Sequence, residues 1–198
     1  MYQLIKRIFD ITSSLIALIL FSPFFIFIAS WILLDSRGGV FYKQIRVGKN
    51  QKEFGLLKFR SMRTNADRAG QLTIGNDNRV TRAGRFIRRY KLDEIPQLIN
   101  IIKGEMSVVG PRPEVPKYVA LYSAEQLKVL TVLPGLTDYA TIEYLDEQKL
   151  LGTSENPEQL YVEEVMPAKL DLNLKYIHER SLAVDLKLIF KTIGKIFK

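Results

Sequence analysis

The chain of 198 residues has no cysteine and a single histidine, His178. The first absence excludes disulfides, thiolate catalysis and cysteine-ligated zinc or iron–sulfur sites, and the second excludes a histidine-rich metal site. Any metal here would be a hard ion held by carboxylates. The lack of cysteine is compatible with a reducing cytoplasm. Acidic residues are also in deficit, 21 against 29 Lys plus Arg, which leaves a formal charge of +8. That balance points to an anionic partner: membrane lipid, nucleic acid or a phosphorylated substrate. The length allows one domain with a real core plus appendages, but not two full domains. There is no internal repeat and no low-complexity tract.

One long run carries no charge at all. From Ile11 to Leu34 there is not one ionisable side chain, and Asp10 and Asp35 bound the run. Its length and composition are those of a membrane segment, longer than the apolar core of a cleaved signal. Ser22-Pro23 falls in its middle. A mid-helix proline removes a hydrogen bond and crowds the carbonyl four residues back, that of Ile19, so a kink is expected. A straight helix of this length would reach roughly 36 Å, enough to cross a hydrocarbon core of about 30 Å, whereas each arm beside the proline covers only about one leaflet. Lys6 and Arg7 precede the run, and Arg37, Lys43, Arg46 and Lys49 follow it. Positive charge on both flanks favours both ends on the cytoplasmic side, a re-entrant hairpin. The alternative is an ordinary kinked single span.

Beyond the apolar run, Val40-Phe41-Tyr42 and Phe54 to Arg60 read as two strands of a β-hairpin around the polar loop 48–51. Lys58 and Arg60, two residues apart, are expected on one face as a cationic surface for phosphate. Residues 64–81 are rich in Asn, Asp, Gly and Thr, with a loop expected at 75–78. Arg79, Arg82, Arg85 and Arg88 then recur in steps of three, with Arg89 and Lys91 beside them and Phe86, Ile87 and Tyr90 between, an arginine face beside an apolar face if helical. Like charges at this density repel, so an anionic partner is expected.

This basic stretch runs into Lys91-Leu92-Asp93-Glu94-Ile95-Pro96. Proline suits the first turn of a helix, so a helix start is expected near the acids, with Asp93 as its ionised N-cap. The plain reading is a cap and a first-turn acid; the chemical one is a paired carboxylate site beside cations. Leu98, Ile99, Ile101 and Ile102 form an apolar stripe ending at Lys103-Gly104. In Gly110-Pro111-Arg112-Pro113 the flanking prolines restrict the backbone, which suits rigid presentation of one guanidinium to phosphate. Residues 118–130 read as a helix and 133–136 as a turn. The chain ends with Leu182, Leu186, Ile189, Phe190, Ile193, Ile196 and Phe197 on one helical face and Lys187, Lys191, Lys195 and Lys198 around it. Such a basic amphipathic helix suits an anionic membrane surface; packing on the protein's own core is the alternative.

In this order the motifs resemble those of the small monotopic phosphoglycosyl transferases, bacterial sugar transferases that begin glycan assembly on polyprenol phosphate. The resemblance rests on residues 6–10, Ser22-Pro23, Lys58-Phe59-Arg60-Ser61-Met62, Leu92 to Leu98, Lys103 to Ser107, Gly110-Pro111-Arg112-Pro113 and Pro134-Gly135-Leu136-Thr137, an ordered set covering most of the chain. It implies an α+β, mainly helical fold. Residues 1–36 would be a re-entrant helix-break-helix hinged at Ser22 and Pro23, residues 37–180 a compact cytosolic catalytic domain with a small β-hairpin, and residues 181–198 a basic amphipathic surface helix. It implies that Asp93 attacks the sugar-bearing phosphorus of a UDP-sugar, expels UMP and holds the phosphosugar until undecaprenyl phosphate collects it. Glu94 would share Mg²⁺ with Asp93 or manage protons, and Lys58, Arg60, Arg88, Pro111 and Arg112 would contact substrate. The implied location is the cytoplasmic face of the bacterial inner membrane. The sequence departs from the family after Thr137. Many members continue with Gly-Trp-Ala and an Asn-Gly-Arg run, whereas Asp138-Tyr139-Ala140-Thr141-Ile142-Glu143-Tyr144 stands here and no arginine follows until Arg180.

A non-catalytic peripheral protein that binds anionic lipid is the competing class, although two acids inside the basic stretch would weaken such binding. No recognisable RNA- or DNA-binding motif accompanies that stretch, so a nucleic-acid partner is not expected. Because the chain has no native cysteine, the membrane reading is directly testable. Cysteine placed singly at Lys6 and Lys43 should be modified by an impermeant reagent from the cytoplasmic side in both cases. Labelling from opposite sides would establish a spanning helix instead.

Overall fold

The computed structural model describes residues 1–64, 66 and 77–196. The loop expected at 75–78 falls partly outside these residues, as does Phe197. In chain order the elements are α1 (Tyr2–Asp35), β1 (Phe41–Val47), β2 (Glu53–Phe59), α2 (Arg82–Arg89), α3 (Gln97–Lys103), β3 (Ser107–Val109), α4 (Pro116–Val119), β4 (Gly135–Thr137), α5 (Tyr139–Glu143), α6 (Glu147–Leu151), α7 (Pro157–Leu160), α8 (Met166–Glu179) and α9 (Leu182–Ile196). Helix dominates, as expected. The hairpin is present as antiparallel β1–β2, in register from Phe41 opposite Phe59 to Val47 opposite Glu53.

Three expectations differ. A second, parallel pair joins β3 to β4 where a turn was read at 133–136. It needs glycine on both strands: a Cβ on Gly135 would stand 2.1 Å from the backbone N of Gly110, far inside contact distance. The helix read over 118–130 is two pieces, α4 and a 3₁₀ turn at Gln126–Thr131, because residues between them turn away from the core. The third concerns the membrane segment, which is one helix through Pro23 rather than a helix-break-helix. The Ser22 hydroxyl donates to the Ile19 carbonyl at 2.8 Å, the acceptor that proline leaves without its N–H. Serine thus replaces the missing bond and helical geometry persists.

Both arms of α1 are attached to the rest of the chain. Near its start, Arg7 donates to the carbonyls of Ile101 (2.7 Å) and Ile102 (3.0 Å) at the end of α3, and buried Asp10 accepts from Ser107 Oγ (2.7 Å) and Val108 N (3.2 Å) of β3. Lys6 and Tyr2 reach Asp185 of α9, which also accepts from Tyr176 of α8. On the far arm Ile28 and Ile32 are buried against Phe59, Ala83 and Ile87, and Asp35 accepts from Ala83 N at the start of α2. Between the arms, Ile19 to Phe24 are exposed without interruption. A helix lying on a surface buries one side in every turn, so this apex stands clear of the domain.

Arg60, expected at phosphate, is buried here and closes the end of α1. Its guanidinium donates to the carbonyls of Arg37 (2.6 Å), Ser36 (2.7 Å) and Ile32 (3.4 Å) and to the Ser36 hydroxyl (3.1 Å). A cation at a helix C-terminus satisfies carbonyls that lack intrahelical partners and complements the dipole. Gly38, at φ +127°, is required beside it: a Cβ there would lie 1.8 Å from Arg60 Nη1. Arg60→Ala should therefore lower unfolding stability in detergent by about 3 kcal/mol, since several charge-assisted bonds go together. Arg60→Lys should recover only part, as one ammonium cannot reach these carbonyls at once. Thermal unfolding measures both, and a parent-like melting point for Arg60→Ala would refute the capping role.

Candidate active site

The chain from α2 to α3 places the acidic pair. Thr81 caps α2 by accepting from Gly84 N (2.9 Å), and the helix ends at Tyr90. Lys91 then adopts a left-handed backbone, φ 55°, which turns the chain into a 3₁₀ turn at Leu92–Glu94. Asp93 sits inside that turn and not at an N-cap; α3 begins four residues later, with Pro96 before it. The expected capping bonds are therefore absent. Asp93 is buried, yet its Oδ1 has no hydrogen-bond partner among the described residues. Burial pushes its pKa upward and the neighbouring Glu94 adds to this, while Lys58, Arg88 and Lys91 oppose both. A buried carboxylate oxygen without a partner is costly, so such a group needs a reason to remain.

Glu94 is in the opposite situation. Arg112 grips both of its oxygens, Nη1 at 3.1 Å to Oε2 and Nη2 to Oε1. Burial alone would raise the Glu94 pKa, but Arg112 and then Lys58 outweigh it and hold the group down at about 2. Glu94 is thus favoured in its ionised form.

The rigid presentation of Arg112 is achieved by more than its prolines. Its backbone N donates to Asp138 Oδ2 (3.0 Å), and Asp138 Oδ1 accepts from Thr141 N (2.6 Å), capping α5. Gly135 N donates to the Pro111 carbonyl (2.9 Å). Arg46 of β1 donates to the Pro113 carbonyl (3.0 Å) and pairs with Glu114. Pro111 itself is buried in this junction; Pro113, not Pro111, borders the cleft.

A cleft of about 1610 Å³ opens over these groups. Lys58, Arg60, Arg88, Lys91, Asp93, Glu94 and Arg112 all line it, so six of the expected site residues border one cleft, with Lys91 among them. Lys58 is desolvated there, which brings its pKa down to about 8 despite the opposing charge of Glu94. Among the described residues no ion pair engages Arg88 or Lys91, so both remain available to an anion. Arg79, expected on the arginine face, precedes α2 and pairs with Asp77 at 2.5 Å. Asp138, Arg46, Thr141 and Asn173 also belong to the surroundings of the site and were not anticipated. Asp138 carried the one usable signal, a capping-type residue three before Thr141 and directly after a predicted turn.

For a metal the donor chemistry is right but sparse. Among the described residues no group of three or more His, Asp or Glu could enclose an ion. Asp93 offers a free oxygen, and a carboxylate or two completed by substrate phosphates is the usual setting for Mg²⁺.

The bacterial sugar transferase family matches residues 1–198. The undecaprenyl-phosphate glucose phosphotransferase of Komagataeibacter xylinus is 39% identical over 96% of this chain and 35% of its own length. The UDP-N-acetylgalactosamine-undecaprenyl-phosphate N-acetylgalactosaminephosphotransferase of Aeromonas hydrophila is 36% identical over 98% of this chain and 44% of its own. This chain therefore spans less than half of either protein. The exopolysaccharide production protein PSS of Rhizobium leguminosarum bv. phaseoli is 40% identical over 96% of this chain and 93% of its own length. The match along the whole sequence makes the chain a member of the bacterial sugar transferase family.

Proposed function

We propose that the protein is a phosphoglycosyl transferase that moves a sugar-1-phosphate from a UDP-sugar to undecaprenyl phosphate, with Asp93 as nucleophile. The observation that carries this is the buried, unpartnered Oδ1 of Asp93 in a cleft lined by Lys58, Arg88 and Lys91. The Asp93 oxygen attacks the sugar-bearing phosphorus, the bond to the bridging oxygen breaks, and UMP leaves with that electron pair. An aspartyl phosphosugar remains. An oxygen of undecaprenyl phosphate then attacks the same phosphorus, the acyl-phosphate P–O bond breaks, and the carboxylate is restored as the lipid diphosphate sugar forms. The exchange is ping-pong, because one nucleophile serves both halves. Positioning and charge neutralisation do most of the work in phosphoryl transfer. Here Lys58, Arg88 and Lys91 face the phosphate charge, while Arg112 holds Glu94 ionised and oriented. Asp93 and Glu94 would hold Mg²⁺, which would supply further neutralisation of the diphosphate.

The reaction joins a soluble donor to a lipid acceptor, so the site belongs at the headgroup plane of the cytoplasmic face of the bacterial inner membrane. A re-entrant seating of α1 fits that requirement. It is supported by the attachment of both arms to one body and by the fully exposed apex from Ile19 to Phe24. Leu186, Phe190 and Ile193 of α9 are exposed beside Lys187 and Lys191, the composition of a surface that rests on anionic lipid.

Detergent-purified protein given a UDP-sugar and Mg²⁺, with no lipid acceptor, should release UMP and gain the mass of one phosphosugar. Asp93→Asn should do neither. Turnover that persists in that variant would remove Asp93 as the nucleophile, and silence across a panel of UDP-sugars would favour the lipid-binding alternative.

The pH dependence of UMP release follows from the two shifted groups. Asp93 must be deprotonated to attack, and its pKa is raised, so the rate should fall on acidification while the pH is still above the ordinary carboxylate range. Lys58 must be protonated to oppose phosphate charge, so the rate should fall again as pH rises through about 8. Lys58→Arg should abolish the alkaline limb, because guanidinium does not titrate there. An unchanged alkaline limb in that variant would assign it to another group.

A further inference from the structure

Beyond Arg112 the cleft continues into a lobe between α5 and α8 whose polar groups have no role in the chemistry above. Thr141 Oγ1 and Asn173 Oδ1 both border the cleft, both are buried, and neither has a hydrogen-bond partner among the described residues. Asn173 as a whole is 4% exposed. Asn173 follows Lys169 by four positions on α8, so the two share a helix face. Lys169 is paired with Glu147 at 2.6 Å, and both of these also border the cleft. The two helices are fastened by Tyr139, which donates to Glu179 (2.9 Å) and lies under Lys175.

We infer that this lobe receives the sugar of the donor, with Thr141 and Asn173 as the hydrogen-bonding groups that determine which sugar is accepted. The inference rests on the transferase reading given above. Charge separates the two parts of the cleft. Among the described residues no ion pair engages Arg88 or Lys91, which suit phosphates, whereas beyond them Arg112 is paired with Glu94 and Lys169 with Glu147, so the lobe offers hydrogen bonds but no free cation for a phosphate. A hydroxyl-rich neutral group fits that description. Position separates sugar from nucleotide. In an in-line displacement the leaving UMP lies opposite the attacking oxygen and the sugar-bearing oxygen is equatorial, so the sugar extends sideways from the line between Asp93 and the nucleotide. Glu94 adjoins Asp93 in the chain and Arg112 is bonded to Glu94. Asp138 ties Thr141 to them, since one carboxylate accepts from the backbone N of both Arg112 and Thr141. A site built to hydrogen-bond a hydroxyl discriminates strongly against an analogue that leaves its buried groups unpaired.

The test compares wild type, Thr141→Val, Thr141→Ser, Asn173→Leu and Asn173→Asp. The readouts are kcat/KM for UDP-glucose, UDP-galactose, UDP-N-acetylglucosamine and UDP-N-acetylgalactosamine, and the Kd of UMP by calorimetry. Thr141→Val and Asn173→Leu should change the ratio between the best donor and its epimer by about tenfold, with UMP affinity within about threefold of wild type. Thr141→Ser, which keeps the hydroxyl, should keep the wild-type ratio. Asn173→Asp is close to isosteric and keeps the fold testable if Asn173→Leu does not accumulate; it too should shift the ratio. UMP binding that weakens as much as donor turnover would assign the lobe to the nucleotide and overturn the inference. A uniform loss across donors, with their ratio unmoved, would overturn it as well. Wild type that releases no UMP from any donor would instead sink the transferase reading on which the inference stands.

Discussion

The constraint on which the rest of this structure depends is that both arms of one long apolar helix are tied to the same folded body. The ties are polar and largely buried. Asp10 accepts from Ser107 and Val108 on one arm, and Arg60 donates to the carbonyls of Ser36 and Arg37 just past the end of the other. Apolar contact alone would let such a helix slide or roll, because dispersion and burial are non-directional. Hydrogen bonds to a buried carboxylate and a buried guanidinium fix both register and rotation. The segments that make these ties also carry the site. Lys58 precedes Arg60 by two residues, and Arg112 follows β3 by three. The seating of α1 and the placement of the phosphate-facing cations are thus set by the same strands.

Within the site the two adjacent acids are held in opposite conditions. Glu94 has a bidentate arginine and stays charged, whereas Asp93 keeps one oxygen buried and unpaired, with its pKa raised. A nucleophile gains from this asymmetry. An oxygen already committed to strong hydrogen bonds must break them to attack, and one fully exposed to water must be desolvated. The left-handed Lys91 is what separates the fates of the pair. By turning the chain into a 3₁₀ turn it withholds from Asp93 the backbone N–H groups that an N-cap would have supplied.

Much of this organisation is legible in the sequence, and its limits are physical. The uncharged run, the hairpin and the end of α3 at Gly104 follow from composition, period and capping signals, whereas a common site for Lys58, Arg88, Asp93, Glu94 and Arg112 was implied by the family resemblance. The bonds of Arg60 to the end of α1 were not legible, because alternation along a strand gives the side of the sheet but not the partner, and the end of α1 reaches it from far away in sequence. Asp93 was misassigned as a cap because Pro96 does mark a helix start, while nothing local announces a positive φ at Lys91, which is not glycine or asparagine. The β3–β4 pair is too short for any periodic signal, and only the close approach of Gly110 and Gly135 explains it. Ser22 shows the reverse case. The proline was read correctly as the loss of a bond, but the hydroxyl one residue earlier restores it.

The departure of this sequence after Thr137 acquires a physical meaning in the fold. Where many family members carry a run with an arginine, this chain has Asp138, and its carboxylate is fully buried between the backbone N–H groups of Arg112 and Thr141. A carboxylate so placed cannot contact a phosphate favourably, since like charges in a desolvated site repel strongly. It serves the site through the backbone, fixing the loop that holds Arg112 and the first turn of α5. Among the described residues Lys58, Arg88 and Lys91 border the cleft without an ion pair, all of them away from α5 and α8. Under the proposed transfer they would meet the anionic part of the donor, and the lobe by α5 and α8 would take a group recognised through hydrogen bonds.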